Sequence, residues 1–230
     1  MQHRMEQFIR YSILIHVIAG CIALLSGLGA ILLRNNIKKH RPFGKVYFWC
    51  MTIIFITSLY VSFYKEIWFL LFVSVFSYYS CITAFRALSL KKLHMGQKPQ
   101  MVDWLIEIIN VLFNTGFIIF GIVILKNNTT FAIICFVFGG LGLFTTYRNT
   151  IRFRGKPMHK NHWLIAHIGG MLGSYIGAFT AFLVNNNGRW IHGPEILAWL
   201  GPTAVFVPFI IYETRKYKSS SITPLDKTEK

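Results

Sequence analysis

The sequence predicts an all-α membrane protein, a bundle of seven transmembrane helices with the N-terminus outside and the C-terminus in the cytoplasm. Three observations lead there. Apolar residues make up 54% of the 230 residues and charged residues only 14%, with 21 Phe, whereas a soluble domain is about a quarter charged. Seven apolar runs recur along the chain, most near the length that a helix rising about 1.5 Å per residue needs to cross a hydrocarbon core about 30 Å thick. Finally, Lys and Arg stay between the runs or at their ends, and they alternate. Arg4, Arg10, Lys65, Lys126 and Arg189 fall in one set of segments, and the rest of the 24 fall in the other. The positive-inside rule assigns the richer set to the cytoplasm.

The first run, 11–33, is too long for a signal-peptide core and ends in no small-residue cleavage pattern, so it counts as a helix. Within it His16 is followed at helical spacing by Gly20, Ala23, Ser26, Gly27 and Ala30, a face suited to close packing. A basic connection follows, in which Pro42 and Gly44 are expected to break the helix. The second helix is expected over 46–64, Lys65-Glu66 turn the chain, and the third covers 67–86. A long polar connection leads to the fourth helix, 104–125, and KNNTT turns it into the fifth, 131–147. The basic loop before the sixth helix, 163–184, carries His159 and His162. In that helix His167 is followed by Gly170, Ser174, Gly177, Ala178 and Ala181, and small residues at offsets 7, 10, 11 and 14 from the histidine repeat those of the first helix. Both are read as packing helices. The seventh helix, 195–212, holds Pro202 and Pro208, which should kink it. Residues 215–230 are polar and read as a disordered cytoplasmic tail. With no soluble domain or low-complexity tract, residues 1–214 form one polytopic domain.

The net charge of +16 invites a nucleic-acid reading, but its confinement to one side of the runs makes it a topology signal, and nucleic acid is set aside as a partner. The expected partner is the bilayer, with anionic lipid at the cytoplasmic face. Cys21, Cys50, Cys81 and Cys135 all lie within apolar runs, where a thiol behaves as a small hydrophobe.

Ionisable groups inside a membrane are costly and point to function. Three stand within the runs: His16, Glu107 and His167. Glu107 belongs to a stripe with Asp103, Asn110 and Asn114, on one helical face that lipid would not tolerate. Counted from Trp104 and Trp163, Glu107 and His167 both lie about 5–6 Å below the cytoplasmic interface. A shared pocket is therefore expected, with Asn110 and Asn114 below and Arg86, His162 and His40 near its mouth. The bland reading is that Glu107 snorkels toward the basic residues above it and His167 bonds a neighbouring helix. His16 lies on the outer side, with Ser12, His192 and Glu195 as candidate companions, although a lone intramembrane histidine is more often a packing group.

Two histidine-bearing helices raise the question of b-type haem, which needs both ligands at one depth. His16 and His167 lie about 17 Å apart along the membrane normal and cannot share an iron; only a loop histidine such as His40, His94, His159, His162 or His192 could complete a site. Zinc is a weaker case: His159, His162 and His167 are spaced by three and five rather than by four on one helix face. No nucleophile elbow, phosphate loop or dinucleotide fingerprint is present.

Two segments, HVIAGCIAL from His16 with HRPFGKVYFWCM from His40, and WLIAHIG from Trp163 through Val184, resemble a set of uncharacterised bacterial membrane proteins, those of the domain-of-unknown-function 2306 type. The resemblance implies a multi-helix fold in the bacterial inner membrane and brings no activity or catalytic residue with it. The leading expectation is an inner-membrane protein that binds or passes a proton or small polar ligand at a cytoplasm-facing pocket. The alternatives are a membrane redox or metal enzyme, with haem or zinc on histidine ligands, and a structural or assembly protein without chemistry.

Overall fold

The computed structural model describes residues 2–155, 160–189 and 192–219. Seven α-helices make up almost all of it: α1 (Gln2–Leu32), α2 (Ile37–Tyr64), α3 (Trp68–Ala87), α4 (Met101–Ile124), α5 (Thr129–Arg154), α6 (His162–Asn186) and α7 (Glu195–Ser219), with one 3-10 turn at Leu93–Met95. All seven are long and apolar enough to cross a membrane, so the chain is a multi-pass membrane protein. Large apolar side chains such as Phe8, Leu25, Trp49, Leu112 and Val205 stand on the outside of the bundle. In water such a surface would aggregate; against lipid it costs nothing.

The helices outlast the apolar runs because a helical backbone satisfies its own hydrogen bonds and need not stop at the lipid boundary. Thus α5 continues to Arg154, and α7 continues to Ser219, so residues 215–219 are helical where a disordered tail is expected. The remainder of that tail, 220–230, lies outside the described residues. Pro42 and Gly44 do not break the chain: α2 begins before them at Ile37, with Asn36 as N-cap accepting from the Lys39 N–H. The proline sits near the start of the helix, where the carbonyl it leaves without a donor, that of Lys38, belongs to an exposed residue that water can serve. The Lys65-Glu66 turn is present, and Glu66 has a positive φ of 54°.

Consecutive helices pack side by side except α5 and α6, and α3 lies at the centre, touching α2, α4, α5 and α6. Its contact with α6 is made by small residues on both sides. A Cβ added at Gly170 would stand 2.7 Å from the Ala84 Cβ and 2.8 Å from the Ser80 carbonyl, and one at Gly177 would stand 2.5 Å from the Ser77 hydroxyl. The small-residue face of α6 is therefore spent on α3. The matching face of α1 instead lies mainly along α2 and reaches α6 lightly, at Tyr175, whose hydroxyl donates to the Leu24 carbonyl. One buried cluster, with Tyr47, Met51, Cys81 and Tyr175, fills the space between α1, α2, α3 and α6. A second, with Phe117, Ile134, Phe138 and Trp199, fills that between α4, α5 and α7.

Candidate functional site

The buried side of α4 is polar for half its length. Asp103, Glu107, Asn110, Asn114, Phe117 and Gly121 are all buried, at steps of four and three that keep one face turned inward. That face meets α5 along Gly142, Thr146 and Asn149, which are buried at the same steps. Between them stands Tyr79 of α3, itself buried.

These residues form one directed chain of hydrogen bonds. Asn114 Nδ2 donates to Asn110 Oδ1 at 2.8 Å, and Asn110 Nδ2 donates to Thr146 Oγ1 at 2.7 Å and to the Gly142 carbonyl at 3.2 Å. Thr146 donates to the Tyr79 hydroxyl at 3.2 Å, and Tyr79 donates to Glu107 Oε2 at 2.6 Å. Asn149 Nδ2 reaches both the Tyr79 oxygen, at 2.9 Å, and Glu107 Oε1, at 3.0 Å. Along the path Asn114, Asn110, Thr146, Tyr79, Glu107 each bond points toward the carboxylate, so each polarises the next in the same sense and the path ends on a group that can only accept when ionised. Gly142 makes this possible. A Cβ there would fall on the side-chain amide of Asn114, so only glycine lets that amide turn back along α4.

A second polar layer closes the site one turn nearer the membrane surface. Arg86, in the last turn of α3, grips Asp103 with Nε to Oδ1 at 2.7 Å and Nη2 to Oδ2 at 3.0 Å. Gln100 joins it, accepting from Arg86 Nη2 at 2.9 Å, and its backbone N–H donates to Asp103 Oδ2 at 2.8 Å. Asp103 is thus both the third residue of α4, closing a capping box on the N-cap Gln100, and the counter-ion of Arg86. A narrow cleft runs from this pair to Glu107, with Thr83, Ile106 and Arg152 in its walls. The Nε of Arg152 is buried there with no hydrogen-bond partner among the described residues. Among the described residues Glu107 itself has no ion pair.

No protein-family model, curated protein or solved structure matches the chain.

Of the expected pocket, Glu107, Asn110 and Asn114 share one network, and Arg86 stands above them through Asp103. His167 is engaged elsewhere: its Nδ1 bonds the Ala84 carbonyl on α3 at 3.1 Å, and it shares no hydrogen-bond partner with Glu107. His40 lies beside His167, with ring centroids 6.3 Å apart, and its Nδ1 bonds the Ala30 carbonyl at 2.9 Å. His162 bonds the Lys91 carbonyl at 3.2 Å and faces His94. His159 lies outside the described residues. Of the expected outer set, His16 bonds Thr57 of α2 at 3.0 Å; Ser12 is half-buried, and His192 and Glu195 are exposed beyond the end of α6. The Thr57 hydroxyl donates to the Ile53 carbonyl, so His16 Nδ1 is the donor to the Thr57 oxygen.

Sequence reasoning passed over Tyr79, Thr146, Asn149 and Arg152. The signal for the α5 residues is the Gly142-Thr146-Asn149 spacing, which duplicates that of the α4 stripe. Tyr79 carries no such mark, since it sits in the aromatic run FSYYS.

Proposed function

We propose that this is a bacterial inner-membrane protein of the domain-of-unknown-function 2306 type whose Glu107 binds and releases a proton on the cytoplasmic side. The observation that carries this reading is a buried carboxylate with no ion pair among the described residues, held by Tyr79 and Asn149 at the end of a donor chain and with Arg152 in the wall of the same cleft. Proton uptake there removes a buried charge, the costliest kind of group to keep in a membrane interior. A proton is favoured over a larger polar ligand because both carboxylate oxygens of Glu107 already accept hydrogen bonds from Tyr79 and Asn149. The relay ends within the site: hydroxyls such as Tyr79 and Thr146 can pass a proton by turning over, while the amides of Asn110 and Asn114 cannot. The chemistry therefore supports binding and exchange from one side better than a continuous wire across the lipid.

The side is set by charge. The mouth of the cleft, with Arg86 and Arg152, belongs to the lysine- and arginine-rich segments, which the positive-inside rule places in the cytoplasm against anionic lipid, with the N-terminus outside. Reconstitution tests the reading. Proteoliposomes holding the wild-type chain should bind about one proton per chain more, on an imposed acid step, than those holding Glu107→Gln, which keeps the shape and one acceptor and should melt close to the wild type. Unchanged uptake in Glu107→Gln would remove the proposal.

A further inference from the structure

His40 and His167 have a geometry that their place in the expected pocket does not explain. They come from α2 and α6, and each ring is fixed by a backbone carbonyl of another helix: Ala30 of α1 for His40, at 2.9 Å, and Ala84 of α3 for His167, at 3.1 Å. A carbonyl only accepts, so both Nδ1 atoms carry hydrogen, and in the neutral ring the remaining lone pair lies on Nε2. Neither Nε2 has a hydrogen-bond partner among the described residues. This is how a metal-binding histidine is prepared, with one nitrogen held by an outer carbonyl and the other free to ligate.

The spacing fits the same chemistry. A metal on an imidazole nitrogen lies about 3.2 Å from the ring centre, from a bond of about 2.0–2.1 Å and a ring radius of about 1.1 Å. Two rings in line across one ion then have centres about 6.4 Å apart. The rings of His40 and His167 meet edge to face with centroids 6.3 Å apart and planes at 79°, a spacing that an ordinary ring pair also has and that a bridging ion would use once both Nε2 atoms turn to it. Gly44, one turn after His40 on the same helix, has His40 Nε2 as the nearest atom to its Cβ position, at 3.9 Å, so no side chain from that position covers the nitrogen.

We infer that His40 and His167 form a bis-imidazole site for a d-block metal, taken either as a bare ion that accepts two nitrogens in line, such as copper(I), or as the iron of a b-type haem. Imidazole suits both. The site owes nothing to Glu107 and stands or falls separately from the proton-binding proposal.

The test uses the full chain in mild detergent, titrated separately with copper(I) under anaerobic reducing conditions and with haemin. One equivalent should bind per chain. His40→Asn and His167→Asn should each weaken binding at least about tenfold, the lower end of what even an outer partner of a metal ligand is worth, while His94→Asn leaves it unchanged. Asparagine is the chosen replacement because its amide N–H can keep the bond to the backbone carbonyl. Copper bound with two imidazole nitrogens in its X-ray absorption spectrum identifies the bare ion; a Soret shift lost in both variants identifies haem. The spectra of the wild-type protein decide the matter even where a variant fails to fold. Binding of neither probe, binding that survives both substitutions, or bound metal without imidazole ligands overturns the inference.

Discussion

Asn114 is the residue on which the buried network turns. Its amide folds back on Asn110, both to the backbone carbonyl and to the side-chain oxygen, each at 2.8 Å, and it occupies the space where Gly142 lacks a side chain. A methyl at 142 has nowhere to go except through that amide. Gly142→Ala should therefore lower stability by about 1–3 kcal/mol through overpacking, beyond whatever the broken buried hydrogen bonds add. Gly140→Ala, where a Cβ meets nothing within 4 Å, should be neutral or stabilising by up to about 1 kcal/mol, because alanine is the better helix former. Thermal unfolding of the two variants in detergent checks the contrast; equal effects would mean that the α4–α5 contact does not depend on Gly142.

At this scale the sequence was legible where polar residues interrupted an apolar run at helical spacing. The stripe from Asp103 to Asn114 announced itself because lipid excludes it, and all four residues are buried. Tyr79 did not, because a tyrosine among aromatic residues looks the same whether its hydroxyl serves a carboxylate or a lipid headgroup.

Among the helices, α3 has the most restrictive surroundings, and α6 lies against it through glycine and serine. Gly169 and Gly170 are neighbours in the chain but face different surroundings. At Gly170 an added Cβ collides with Ala84 and the Ser80 backbone, whereas at Gly169 the nearest atom is an Ile210 methyl at 3.9 Å. Gly170→Ala should cost about 1–3 kcal/mol by forcing two backbones apart, and Gly169→Ala should cost almost nothing. Melting curves of the pair test this, and a Gly170→Ala protein as stable as the wild type would contradict the close approach.

The likeness of α1 and α6 was correctly legible as a packing design, but periodicity specifies a face and not the partner that covers it. Depth has the same weakness. Counting inward from Trp104 and Trp163 puts Glu107 and His167 at similar levels, yet depth fixes one coordinate and leaves direction around the bundle open. Glu107 is bonded to α3 through Tyr79, while His167 bonds α3 through Ala84, five residues further along, and lies beside α2. The ends of α1, α2, α5 and α7 were missed because apolar runs mark lipid, not helix, and polar residues such as Arg4, Lys38, Arg152 and Lys216 extend a helix into water without a signal.

For the molecule as a whole, two polar centres stand at the ends of α3, α4 and α6 toward which the basic segments gather: the carboxylate network between α3, α4 and α5, and the histidine pair among α1, α2, α3 and α6. In the orientation proposed from the alternation of Lys and Arg both would face the cytoplasm, which would join the chemistry of Glu107 to one compartment. Infrared difference spectra on a pH step, recorded on right-side-out and inverted vesicles in which only the outer medium is changed, test that union directly. The account predicts a protonated-carboxyl band that appears in inverted vesicles on acidification and is missing from Glu107→Gln. A band that persists in Glu107→Gln, or one that follows acidification of the right-side-out vesicles instead, would contradict it.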